Sequence, residues 1–266
     1  MIKILKQIWA VTKVSARSNL AYPGEVLGRT VFMAVILYIF LKLWQATYSQ
    51  SGATRLGDMT LAQMLWYLTI TESIYMSAPR LTRQVDEDVR TGTLAVRLIK
   101  PMSYPLYCIS FCLGERSVRF VFNLLIGAVI TFCLVGAVPV SPFSLAMLAV
   151  ACLFGFILDA FGQLIVGLGA FWLEDTSGLF LIYTRLVMIF GGMLIPLELF
   201  PHWLKEIVVF TPFPYLVYGP VHLFLHPSLT EFVVLLKSQL ICILALGLVA
   251  AFVYGQAKAR ICAHGG

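Results

Sequence analysis

Charge is scarce in this chain: Asp, Glu, Lys and Arg make up 12% of its 266 residues, against 60% for the apolar set. That leaves too little polar surface to cover a water-soluble body, and a mean hydropathy of +0.89 lies well above the globular range. Histidine is scarcer still, with four residues. The phosphate-binding loop G-x-x-x-x-G-K-[ST], the zinc helix H-E-x-x-H and the nucleophile elbow G-x-S-x-G are all missing. The chain is therefore expected not to be an enzyme, and to carry no catalytic residue, cofactor or metal of its own. Its six cysteines, at 108, 112, 133, 152, 242 and 262, fall in apolar or basic stretches, which argues against a disulfide framework. His202, His222 and His226 are too widely spaced to suggest a metal site.

What the chain has instead is uninterrupted apolar sequence. A helix rising about 1.5 Å per residue needs about 20 such residues to cross about 30 Å of hydrocarbon. Six stretches qualify: 26–48, 59–79, 120–138, 143–173, 176–197 and 232–257. The expected fold is all-α, one polytopic membrane domain over 1–266 with six transmembrane helices. Orientation follows from Lys and Arg, which short loops retain on the cytoplasmic side. Lys3, Lys6, Lys13, Arg17 and Arg29 open the chain, and Arg80, Arg83, Arg90, Arg97 and Lys100 follow the second span. Arg116 and Arg119 enter the third, while Lys258 and Arg260 close the last. Both termini are thus expected in the cytoplasm. The net charge of +6 is a topology signal and not a sign of nucleic-acid binding.

Before the first span, Ile4, Ile8, Val11 and Val14 recur at helical spacing beside Trp9. Lysines on the other side would meet lipid head groups, so 1–22 reads as an interfacial helix. A frayed basic tail is the other reading.

Between the second and third spans lies the segment 80–105, RLTRQVDEDVRTGTLAVRLIKPMSYP. Leu81, Val85 and Val89 recur every fourth residue, Asp86, Glu87 and Asp88 fall mostly opposite, and Gly92 stands where a helix would end in a left-handed residue. This predicts a short helix. Leu94, Val96, Leu98 and Ile99 then form a second apolar set ahead of Pro101. The spacing alone is equally compatible with a solvated connector.

Six of the 12 prolines, at 196, 201, 212, 214, 220 and 227, crowd the segment 198–231 and its edge, so no continuous span survives there. The apolar pieces 202–210 and 215–225 are too short to cross, which suggests re-entrant half-helices on the outer side, or an amphipathic surface hairpin. Within the spans, Glu72, Asp159 and Arg185 are ionisable, a placement that costs about 2.5–3.5 kcal/mol per charge and calls for partners or a cavity. Counted along straight helices they lie roughly 11, 21 and 16 Å deep, so Arg185 is expected to meet one of the acids. The pair would either fix packing or form a polar lining for substrate or protons. Small-residue spacings, such as Ser110 with Gly114 and the glycines at 162, 167 and 169, permit close helix contact without saying which helices meet.

The order Arg83, Asp86, Arg90, Gly92, Thr93, Leu94, Leu98 and Pro101, ahead of a helix carrying Glu115 and Arg116, resembles the ABC-2 type permease family, in its branch of chains about this long. The stretch 191–214, GGMLIPLELFPHWLKEIVVFTPFP, is similar to that family's late segment. The resemblance implies a permease subunit of an ATP-driven exporter in the bacterial cytoplasmic membrane, moving a hydrophobic, lipid-linked or glycan substrate outward. ATP and Mg would sit on a separate nucleotide-binding subunit, and a second permease chain, identical or divergent, would complete the path. The helix at 81–91 would then be the coupling helix, offering Leu81, Val85, Asp86, Val89, Arg90 and Gly92 to the ATPase. Tyr38, Phe40 and Trp44 on the first span would border the pathway. A secondary transporter without an ATPase, or a membrane-embedded enzyme, are the other readings; neither internal repeats nor a convergent polar constellation supports them.

Overall fold

Apolar side chains at helical spacing, with few turn residues among them, favour long helices, and the computed structural model is almost wholly helical. It describes residues 2–18, 23–99 and 102–264, without the side chains of 2–5, 23–27, 98 and 260–264. The expectations resting on 19–22, Lys100 and Pro101, and on the side chains of Ile4, Leu98 and Cys262, lie outside the described residues. Among those described, the helices are α1 (Ile2–Ser18), α2 (Pro23–Ser51), α3 (Leu61–Met76), α4 (Leu81–Arg90), α5 (Thr93–Leu98), α6 (Tyr104–Val135), α7 (Pro142–Leu168), α8 (Ser177–Phe190), α9 (His202–Val209), α10 (Tyr218–Leu225) and α11 (Leu229–His264). The β content described is one bridge between Leu56 and Met59.

Four segments are long and apolar enough to cross a bilayer: Gly28–Ser51, Tyr104–Val135, Pro142–Phe171 and Leu229–Ala259. The other two expected spans are shorter, with 16 residues in α3 and 14 in α8, about 24 and 21 Å of helix. Both limits have local causes. A capping box starts α3 late: the Thr60 hydroxyl accepts from the Gln63 amide while the Gln63 side chain accepts from the Thr60 amide. At its far end α8 stops at Gly191 and Gly192, where Gly192 adopts φ +70°, a backbone conformation that ends helices. The third expected span departs in the opposite direction. Instead of starting at 120, α6 runs for 32 residues from Tyr104, with Pro105 in the first turn, where a missing amide hydrogen is tolerated.

Two helices organise the packing. α3 is sheathed by α2, α6 and α10, and Met64, Leu65, Tyr67, Leu68, Ile70 and Ile74 are fully buried in it. Its hydroxyls are satisfied within the bundle: Thr69 donates to the Leu65 carbonyl and meets Thr131 of α6, and Ser73 donates to the Thr69 carbonyl. α7 packs against α4, α6, α8, α10 and α11. The proline-rich segment holds two eight-residue helices of unequal standing: α10 buries Pro220, Val221, Leu223 and Phe224, whereas α9 buries Val208 alone. α1 does not lie apart from the bundle. The Thr12 hydroxyl donates to the Ser110 carbonyl at 3.0 Å and Ser15 to the Phe111 carbonyl at 2.7 Å. A Cβ at Gly114 would overlap the Thr12 carbonyl, so the Ser110–Gly114 spacing is the seat of α1 on α6. Its Trp9 and Val14 remain largely exposed.

Candidate functional site

A ten-residue helix is marginal alone and must bury its apolar stripe. α4 does so against its own chain: Leu81 and Val85 are buried together with Leu164 and Leu168 of α7. Gly167 makes the fit possible, since a Cβ there would sit 2.7 Å from Val85 Cβ and 2.9 Å from the Thr82 carbonyl. The Thr82 hydroxyl adds a hydrogen bond to the Gln163 carbonyl at 3.0 Å. This corrects the expectation that Leu81 and Val85 face another protein: they are consumed in seating α4, and Val89 packs partly against the same cluster. At the end of the helix Gly92 has φ +71° and donates its amide to the Val89 carbonyl at 3.2 Å, turning the chain into α5.

The polar side of α4 grips two neighbours. Asp88, although buried, accepts from the Tyr104 hydroxyl at 2.9 Å and pairs with Arg97 at 3.4 Å, tying α4 to α5 and α6. Asp86 and Arg90 pair at 2.9 Å and together hold the start of α8. Thr176 donates to Asp86 at 3.0 Å, and Arg90 donates to the Glu174 carbonyl and lies 3.9 Å from Asp175. Hydrogen bonds from the Ser177 hydroxyl and amide keep the Asp175 carboxyl below the usual carboxylate range. The face left open carries the exposed pair Arg83 and Glu87, 3.0 Å apart. Beside it stand Val96 and Ile99, 63% and 86% exposed. Their set is visible in the sequence, but their exposure is not: Leu94 takes the buried face of the short α5, which leaves Val96 and Ile99 outward.

Of the ionisable residues expected within the spans, Asp159 is buried in α7 and pairs with Arg116 of α6. This corrects the expected pairing with Arg185. The extension of α6 down to Tyr104 carries Arg116 about 18 Å into the helix, level with Asp159. Asp159 also accepts from Gln163 at 2.8 Å and from Tyr183 of α8 at 2.6 Å, Tyr183 crossing directly over Gly162. Arg116 further donates to the Ile74 carbonyl at 3.4 Å and stands 4.4 Å from the Phe156 ring centre. Glu72 is buried in α3 and joins no ion pair among the described residues. Arg185 is exposed on α8, one guanidinium nitrogen 3.6 Å from Met188 Sδ. A cavity of about 440 Å³ lies between α3, α7 and α8 and reaches both Asp159 and Arg185.

The aromatic residues of the first span divide by helical phase. Phe40 and Trp44 share the inner face of α2 with Met33, Leu37, Leu41 and Tyr48, all buried, so they build the core and do not front an open path. Tyr38 is 54% exposed. In the proline-rich segment His222 lies 3.5 Å from both Glu198 and Glu231, and among the described residues no three His, Cys, Asp or Glu side chains converge as a metal-ligand set. Cys108 and Cys112 are buried in the apolar cluster beneath α4.

A family model described as "ABC-2 family transporter protein" matches residues 8–265. No curated protein matches the chain significantly.

Proposed function

The chain belongs to the ABC-2 family of transporter proteins and is a multi-pass membrane permease subunit; from that premise we propose that it exports its substrate with energy from a separate ATP-hydrolysing subunit docked on α4 and α5. One observation carries the proposal: α4 lies outside the apolar helices yet is fastened to three of them, through Gly167 to the long α7, through Asp86 and Arg90 to the start of the shorter α8, and through Asp88 to the long α6. A helix so tied moves as a lever with the helices it grips. The ATPase, loaded with ATP and Mg, would supply the push. It would meet Arg83 and Glu87 on α4 and the apolar pair Val96 and Ile99 on α5, while Asp86 and Arg90 pass the displacement to α8.

In this reading α3 and α8 are the short second and fifth of six spans, α3 being wrapped by other helices and so spared full lipid contact. Both termini and α4 face the cytoplasm, in agreement with the Lys and Arg distribution. The proline-broken segment with the re-entrant α10 then lies on the outer side. α8 buries only Val187 of its 14 residues, and α2 exposes Val31, Phe32, Val35, Tyr38, Ile39 and Leu43. These faces suit a second permease chain, identical or divergent, which would complete the path for a hydrophobic, lipid-linked or glycan substrate.

The docking surface is testable because both apolar residues are exposed and their replacement leaves the core intact. The wild-type chain, extracted in detergent from its own cells, is expected to carry a P-loop ATPase in fixed ratio. Val96→Asp with Ile99→Asp is expected to lose it about thirtyfold or more, as for removal of a central apolar anchor. A wild-type chain that transports with no such ATPase bound would overturn the proposal in favour of a secondary transporter.

A further inference from the structure

The cavity between α3, α7 and α8 has a wall unsuited to a neutral occupant. Three guanidinium groups line it, from Arg80, Arg116 and Arg185, against one carboxylate, Asp159. That carboxylate is already saturated by Tyr183, Gln163 and Arg116. Its partners are not: Arg116 and Gln163 are 4% and 3% exposed, yet Arg116 Nε and Gln163 Oε1 have no hydrogen-bond partner. Both atoms have less than 1 Å² of accessible surface, and a buried polar atom without a partner costs about 1–3 kcal/mol, so a small turn of either side chain toward the cavity would let a ligand supply what the chain does not. Arg185 adds a cation on an otherwise apolar helix, with no carboxylate within ion-pair distance among the described residues. The rest of the wall, with Phe180, Leu181, Val187, Leu216 and Val217, is apolar.

We infer that this cavity binds an amphiphile with a phosphate-monoester headgroup and an apolar chain, and that Arg185 selects the headgroup. The inference rests on the permease reading for its meaning, where it names the substrate class. The chemistry favours phosphate over carboxylate or sulfonate. Arg116 Nε and Arg185 need an anionic oxygen, whereas Gln163 Oε1 is an acceptor and needs a hydroxyl. Around its second ionisation, near pH 6, a phosphate monoester keeps one hydroxyl beside its anionic oxygens and so presents both on one tetrahedral centre. Arginine holds such oxygens by paired donors, and the apolar wall takes the chain.

The test uses the detergent-extracted complex and a dodecyl phosphate probe with a diazirine in its chain, photolysed and mapped by mass spectrometry. Label is expected on 74–79 and 180–187, about tenfold above that from a dodecyltrimethylammonium probe of the same chain, and excess unlabelled dodecyl phosphate should remove it. Arg185→Gln is expected to lower phosphate labelling about tenfold and Arg185→Lys to keep most of it. Equal labelling by the two headgroups, absence of label from these stretches, or unchanged labelling in Arg185→Gln would overturn the inference. So would displacement by the same concentration of inorganic phosphate, which would mark a free-anion site. The headgroup comparison uses the unaltered chain and stands whether or not the variant folds. The labelling needs no ATP and is read on the permease, whereas the ATPase is read as its own chain in the same sample, so loss of one is told apart from loss of the other.

Discussion

Asp159→Leu is expected to destabilise the chain by about 3–5 kcal/mol, the cost of leaving a buried charge without its partner. Arg116, 4% exposed, would keep only a long bond to the Ile74 carbonyl at 3.4 Å and its contact with the Phe156 ring. Tyr183 and Gln163 would lose their shared acceptor as well. The loss reads out as a lower melting midpoint in detergent and a smaller folded fraction after extraction. Adding Arg116→Leu to the same chain should recover most of it, because replacing both charges by apolar groups removes the desolvation penalty. If Asp159→Leu melts like the wild type, the pair carries no packing role. If the double variant is no better than the single one, the cost lies in the Tyr183 and Gln163 bonds instead.

That network also shows where the sequence stops being informative. Helix content followed from composition and apolar run length, and α4 with its left-handed Gly92 followed from a four-residue repeat and one glycine. The partner of Asp159 did not. Glu115, Arg116 and Arg119 interrupt the apolar run before 120, and hydropathy reads such an interruption as a loop. In the fold the helix passes straight through, because Arg116 is neutralised by Asp159 on α7 and Arg119 by Glu115 one turn away. Run length measures contact with lipid, whereas a helix wrapped by others can carry charge at depth. The limits of α3 and α8 are legible in the sequence: Thr60 with Gln63 is a capping signature, and Gly191–Gly192 is a stop. The two faces of α4 are a different case. Local periodicity identifies an apolar stripe but not the surface that receives it, so Val85 reads equally well as a contact for another protein or for Gly167.

Gly167→Val is expected to separate ATP hydrolysis from transport. The Cβ alone would stand 2.7 Å from Val85 Cβ and 2.9 Å from the Thr82 carbonyl, and the two extra methyl groups enlarge the conflict. Overpacking at a helix contact costs about 1–3 kcal/mol. Here the strain is relieved by lifting α4 off α7, since α4 is the shorter and less anchored of the two. Lifting it also draws Asp86 and Arg90 away from Thr176 and Glu174. The side chains of Arg83, Glu87, Val96 and Ile99 are unchanged, so the proposed ATPase partner is expected to stay bound and to keep hydrolysing. Transport per ATP should fall about tenfold, near the upper end of what a coupling residue remote from both ligands changes. Asp86→Ala with Arg90→Ala should give a similar loss through the α8 side alone. The readout is the ratio of substrate moved to ATP consumed in reconstituted vesicles. An unchanged ratio in both variants would mean that α4 is a structural strut and that the drive enters the bundle elsewhere.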